Sequence, residues 1–169
     1  MLNIYLLNHE QRLAFDAIIR ATDSDGPHGT SGAVFFLEGL GGTGKTFTYT
    51  CLLSHIRSQG KVALAVASSG IAALLLEGGR TGHSRFKIPI NILDTSTCYI
   101  NKEGEAADLV RACALLIWDE APMMQKHVYE ALNRTLIDIT GNNSPFGGIV
   151  TVLGGDFRQM LPVVPKGSK

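Results

Sequence analysis

The 169-residue sequence is poor in the features that staple, anchor or charge a chain. Its three cysteines, Cys51, Cys98 and Cys113, are odd in number and form no C-x-x-C pair. That argues against a disulfide framework and a zinc site, and for buried thiols in a reducing compartment. No apolar run approaches the length of a membrane span, and the N-terminus lacks the basic-then-apolar layout of a signal peptide. Neither sign of charge dominates: 15 lysines and arginines face 15 aspartates and glutamates. Wholesale wrapping of nucleic acid therefore has no support, and any such binding must come from a local patch. Internal repeats and low-complexity segments are missing too. What is plentiful is apolar side chain, at 45% of residues, which excludes a disordered chain. The length suits one sizeable hydrophobic core and falls short of two full domains.

Eight residues carry the strongest signal. Gly39-Leu40-Gly41-Gly42-Thr43-Gly44-Lys45-Thr46 fits G-x-x-x-x-G-K-[ST] at every fixed position. The run before it, Ala33 to Leu37, is short and apolar on both faces, as a buried parallel strand should be. The segment after it, Phe47 to Ser58, has near-helical apolar spacing and stops at Gly60. A glycine-rich loop between such elements turns backbone N–H groups inward and makes an anion cradle at a helix N-terminus. Lys45 adds a positive charge for the β- and γ-phosphates, and the Thr46 hydroxyl suits Mg²⁺. The pattern predicts binding of a nucleoside triphosphate by Gly39, Gly41, Gly42, Thr43, Gly44, Lys45 and Thr46.

Further along, strands and helices alternate. Asn8 with Gln11 forms a capping-box pattern opening a helix over residues 7–20. A second strand is expected at Val62 to Ala67, a short helix at Ile71 to Leu76 and another around Glu105–Ala112. A third strand follows at Leu115 to Trp118, then a helix from Lys126 to Ile139 and a fourth strand from Ile149 to Leu153. Residues 80–101 are mixed in character, and their pattern assigns no element. The alternation predicts an α/β fold of three layers around a mainly parallel sheet.

Two strand ends carry further chemistry. Open parallel sheets bind ligands outside the carboxyl ends of their strands, and the third strand ends in Asp119-Glu120. Asp119 there suits the Mg²⁺ that Thr46 also ligates, and Glu120 suits a water attacking the γ-phosphate. Taken alone, the acidic pair also fits a solvated helix N-terminus. The fourth strand ends in Gly154-Gly155-Asp156-Phe157-Arg158-Gln159, where a polar side chain can report on the γ-phosphate. An ordinary glycine turn is the simpler alternative there.

Together these residues resemble the petite-integration-frequency family of superfamily-one DNA helicases, which move 5′→3′. Leu7-Asn8-His9-Glu10-Gln11 looks like the family's adenine-contacting Q motif, with Gln11 as the contact. The phosphate loop is its motif I, and Ser68-Ser69-Gly70-Ile71-Ala72-Ala73 resembles motif Ia, which runs along single-stranded DNA. Thr81 to Phe86 resembles a T-x-H-S segment, although Gly82 stands where alanine or isoleucine is more usual. Asp119-Glu120-Ala121-Pro122-Met123 matches motif II. Glu130 to Thr135 through Pro145-Phe146-Gly147-Gly148 resembles a family signature, and Gly155 to Gln159 is motif III. The wording of motif II and of Arg85 to Pro89 is nearer the eukaryotic branch of plants and rolling-circle transposons than the bacterial one.

The resemblance implies a RecA-like P-loop NTPase domain over residues 1–169, carrying motifs Q to III. A second RecA-like domain with motifs IV to VI is expected in the family and missing here. The last strand of the first domain is expected past Lys169, leaving residues 34–37 at a sheet edge in the order 5-1-4-3-2. ATP with Mg²⁺ is the implied substrate and cofactor, and single-stranded and fork-like DNA the implied partners. Lys45, Glu120 and Gln159 would be catalytic, with Gln159 the phosphate sensor. Ser69, Gly70, His83, Arg85 and Phe86 are the candidate DNA contacts. Phe86 reads equally as a base-stacking residue or a core phenylalanine, and His83 better as a structural hydrogen-bonding residue than as a catalyst. Roles in DNA repair, recombination and telomere maintenance, and a nuclear, non-membrane location, are expectations from the family alone. Two rivals remain. Another P-loop enzyme lacks support, since no guanine-reading Asn-Lys-x-Asp and no arginine-rich lid occur. The other is an inert nucleotide-binding remnant of a truncated helicase or transposon gene.

Overall fold

The computed structural model describes residues 3–23, 32–39 and 44–158. Gly41, Gly42, Thr43 and Gln159 lie outside these described residues.

Five strands form one sheet in the order β1-β5-β4-β2-β3, and every pairing is parallel. They are β1 (Val34–Glu38), β2 (Val62–Ala67), β3 (Arg80–Thr81), β4 (Cys113–Asp119) and β5 (Val150–Gly155). The helices are α1 (His9–Asp23), α2 (Lys45–Ser58), α3 (Gly70–Leu74), α4 (Gly82–Phe86), α5 (Glu105–Ala112) and α6 (Lys126–Thr140).

The strand alternation of period two sorts side chains between two cores. Ala63, Ala65, Leu115, Ile117, Val150 and Val152 face one side, where they meet Phe15 and Ile18 of α1 and Leu52, Leu53 and Ile56 of α2. Leu64, Val66, Leu116, Trp118 and Leu153 face the other, against Val110 of α5 and Leu132 and Leu136 of α6. Helices on both faces of a parallel sheet give the three layers expected from the sequence.

Asn8 and Gln11 form the reciprocal cap that opens α1: the Gln11 N–H donates to Asn8 Oδ1 at 2.9 Å and the Asn8 N–H to Gln11 Oε1 at 3.0 Å. Helix α5 has the expected bounds, and α2 starts two residues before Phe47, at Lys45 itself. Strand β5 runs two residues beyond Leu153, so Gly154 and Gly155 are strand residues rather than a turn. An added Cβ on Gly154 would lie 1.6 Å from the Tyr49 hydroxyl, and one on Gly155 2.5 Å from Pro122 Cδ. Bare backbone at this strand tip lets α2 and the segment after β4 close on it.

Residues 80–101 begin with β3, only two residues long, and α4, only five. Both are too short to show periodicity. Ile88 and Cys98 of the rest are buried in the core, and side chains of α6 bond to its backbone. Cys98 N–H donates to Thr135 Oγ1 at 2.9 Å, and Arg134 Nε donates to the Ser96 carbonyl at 3.1 Å.

Strand β1 pairs with β5 along one side and is an edge strand among the described residues. Phe36 is 65% exposed there and meets Phe157 edge-to-face, ring centroids 6.0 Å apart.

Candidate functional site

The carboxyl ends of β1, β4 and β2 converge on one edge of the molecule. Gly44 precedes α2 with φ 83°, a left-handed conformation that glycine adopts without a Cβ penalty. The Gln11 amide nitrogen lies so near that a Cβ on Gly44 would sit 2.4 Å from it. Gln11 and Gly44 are therefore in contact range. Lys45 Nζ donates to the Gly39 carbonyl, which turns the ammonium back toward the end of β1. Asn8, Gln11, Gly39, Lys45, Thr48 and Arg158 line a cleft of about 270 Å³. Arg158 reaches Glu38 at 3.6 Å, which ties the segment after β5 to the end of β1.

Asp119 closes β4. Its Oδ1 accepts a hydrogen bond from the Tyr49 hydroxyl at 3.2 Å. Tyr49 stands three residues after Thr46 on α2, so the two share a helix face. This phenol places Asp119 beside the face that carries Thr46. Burial pushes the Asp119 carboxyl above its ordinary range, and the Glu120 charge adds to the rise. The backbone of Glu120, the Tyr49 hydroxyl and the Lys45 ammonium pull it back. The Lys45 ammonium is thus near enough to favour the charged form of Asp119. Burial and the Asp119 charge also drive the Tyr49 phenol far above its usual value, so it stays a neutral donor. Thr46 and Asp119 offer a hydroxyl and a carboxylate, hard oxygen donors of the kind Mg²⁺ takes alongside substrate phosphates.

Glu120 has φ 53°, a left-handed backbone uncommon outside glycine and enriched at functional sites. Two serines from the β2–α3 connection hold it there. Ser68 Oγ donates to the Glu120 carbonyl at 2.7 Å, and Ser69 Oγ donates to the Glu120 carboxylate at 2.8 Å. Trp118 Nε1 in turn donates to Ser68 Oγ at 2.9 Å.

The five candidate DNA contacts separate. Ser69 is half-buried between Glu120 and α3, and Gly70 is exposed at the start of α3. Ile71 and Leu74 beside it project outward, 81% and 85% exposed. His83 is half-buried within α4, and its carbonyl accepts from Ile88 at 3.2 Å. Arg85 is half-buried too, and burial together with nearby Arg80 lowers its pKa. Phe86 is a correction. At 2% exposure it offers no face to a base, because its ring stacks on Trp118 with centroids 6.3 Å apart. The core alternative is the one the structure shows.

Tyr49 and Trp118 belong to this site without any sequence motif marking them, and Ser68 enters it as a brace of Glu120 rather than as a DNA-strand contact. Tyr49 was accessible through its i,i+3 relation to Thr46. The Ser68–Trp118 contact joins residues 50 apart in sequence, and local pattern carries no sign of it.

Comparison with known proteins decides the family. Residues 6–169 match the model of the PIF1-like helicase family. This chain belongs to the PIF1-like helicases. The ATP-dependent DNA helicase PIF1 of Candida albicans is 35% identical over 139 residues, covering 80% of this chain and 15% of that protein. The human ATP-dependent DNA helicase PIF1 is 32% identical over 140 residues, covering 82% of this chain and 21% of its own length. Among solved structures, the Bacteroides Pif1 helicase in complex with ADP-AlF3 and ssDNA aligns over 95% of this chain. It does so with a TM-score of 0.74 at 30% identity, over 34% of the Bacteroides chain. The sequence of this PIF1-like chain thus spans 15% and 21% of these two curated relatives and 34% of the solved helicase.

Proposed function

We propose that this chain is an ATP-binding motor domain of a 5′→3′ DNA helicase, using Mg·ATP and acting on single-stranded DNA. The observation that carries the reading is the convergence of Gln11, Lys45 and the Tyr49-held Asp119 around one helix N-terminus. In this reading Gln11 reads the base, and Gly39, Gly41, Gly42, Thr43, Gly44 and Lys45 hold the phosphates. Thr46 and Asp119 hold Mg²⁺, which screens phosphate charge when bound. Glu120 orients a water and takes its proton as the water oxygen bonds to the γ-phosphorus and the bond to ADP breaks. Gln159, which follows Arg158 in sequence, would sense the γ-phosphate. The solved relative bound to ADP-AlF3 and ssDNA supports ATP and single-stranded DNA as ligands.

Helicases of this family are proposed to complete the ATP site with arginines from a second RecA-like domain, a contribution worth about 10³–10⁵ in rate. Residues 1–169 by themselves are accordingly expected to bind Mg·ATP, hydrolyse it slowly and unwind no duplex. Titration with a fluorescent ATP analogue tests the first part. Lys45→Ala removes binding, whereas Glu120→Gln retains it and stops residual hydrolysis. DNA-stimulated turnover at helicase rates by the purified chain would overturn the proposal's limit on activity. Undiminished nucleotide binding by Lys45→Ala would remove the site itself.

A further inference from the structure

The Ser69 hydroxyl has one proton, and the structure shows where it goes. Ser69 Oγ donates to Glu120 Oε2 at 2.8 Å while accepting from the Ala72 N–H at 3.2 Å. A serine hydroxyl has a single donor, so Ser69 cannot also donate to a second anion. Around it, Ser68 grips the Glu120 backbone and the Ser68 N–H donates to the Asp119 carbonyl at 3.1 Å. The β2–α3 connection is thereby latched to both acidic residues at once. Its outer side is open: Gly70 is exposed, and Ile71 and Leu74 beside it project outward.

We propose that Ser69 is a positioning residue that restrains the Glu120 carboxylate, and that a strand phosphate competing for the Ser69 proton releases it for hydrolysis. This inference rests on the proposed action on single-stranded DNA and on the resemblance of Ser68 to Ala73 to motif Ia, which puts the β2–α3 connection along the strand, and adds how DNA would reach the γ-phosphate chemistry. In the resting chain the carboxylate is turned toward the connection by the charge-assisted bond. When a phosphate oxygen takes the hydroxyl proton's hydrogen bond, Glu120 Oε2 loses its tether. The carboxylate is then free to align the water. Hydrolysis and strand occupancy are coupled through one hydrogen bond.

The test uses the full chain in single-turnover ATP hydrolysis, with and without oligothymidylate. Trp118, the sole tryptophan, donates to Ser68 next door, so its fluorescence follows strand binding independently of hydrolysis. In the wild type, oligothymidylate changes Trp118 emission and accelerates hydrolysis. In Ser69→Ala the DNA-free rate rises roughly tenfold, as expected for losing a bond to a charged group, and the ratio with and without DNA falls toward one. Ser69→Thr, which keeps the hydroxyl, restores the DNA dependence. If Ser69→Ala lowers both rates in proportion, or keeps the wild-type ratio, Ser69 only caps α3 and the proposal is refuted while the DNA reading stands. If the wild type shows no Trp118 response and no acceleration, the DNA reading fails and the proposal falls with it.

Discussion

Replacing Gly82 by alanine tests the packing beneath the site. Gly82 opens α4, and a Cβ built on it would lie 2.3 Å from Trp118 Cη2 and 2.4 Å from Cζ2. Carbon atoms in contact prefer about 3.5–4.0 Å, so the indole or α4 has to move by more than an ångström. Neither moves freely. The indole is fully buried, stacked on Phe86 at 16° between ring planes, in edge contact with Tyr129 at 5.1 Å, and bonded to Ser68. Overpacking of this kind costs about 1–3 kcal/mol. For a domain of this size that corresponds to a fall in Tm of about 2–12 °C. Thermal unfolding followed by circular dichroism reads it directly. Trp118→Phe removes the two clashing atoms, so Gly82→Ala should cost less in that background. The coupling in the double-mutant cycle is expected at roughly 1 kcal/mol or more. A loss smaller than about 0.5 kcal/mol in the wild type, or an equal loss in both backgrounds, would refute the reasoning.

Asp119→Asn gives a pH signature. Because burial raises the Asp119 pKa, the folded chain binds that proton more tightly than the unfolded chain, and the ionised carboxylate costs stability. That cost is absent below the ordinary value of 3.8 and complete once the pH exceeds the raised one. The asparagine variant without nucleotide should melt higher than wild type at pH 7, with the gap closing as the pH falls through this window; a gap independent of pH would sink the idea. Phe86→Ala should cost about 3–5 kcal/mol as a core truncation while leaving oligothymidylate affinity of the folded protein unchanged. A selective loss of DNA binding would return Phe86 to the surface. Amides of β1 should exchange faster than those of β4, which is paired on both sides; native-state hydrogen exchange with β1 best protected would contradict its edge position.

The elements that read well from sequence are those with a long period. The apolar face of α6 and the double-sided apolar runs of β2 and β4 carry their burial in their spacing. The phosphate loop reads well because its chemistry is contiguous. Gly82 reads poorly, since sequence shows only a backbone without a side chain. The structure shows that it makes room for Trp118, and its φ lies outside the left-handed range. Residues 87–101 were opaque because Thr135 and Arg134, the side chains that hold them, lie more than 30 positions away. Phe86 was undecidable for a similar reason: a ring flanked by Arg85 and Lys87 has the composition of a surface and the burial of a core.

The phenol of Tyr49 has a mechanical consequence. It is wedged against the tip of β5 and touches the carboxylate that ends β4, while Pro122 fills the opposite side of the same tip. With no slack on either flank, a rotation of α2 drags the β5 tip and the segment after β4 along with it. A turn of α2 would therefore reach Arg158, three residues past Gly155, as a rigid-body lurch of gears already in mesh.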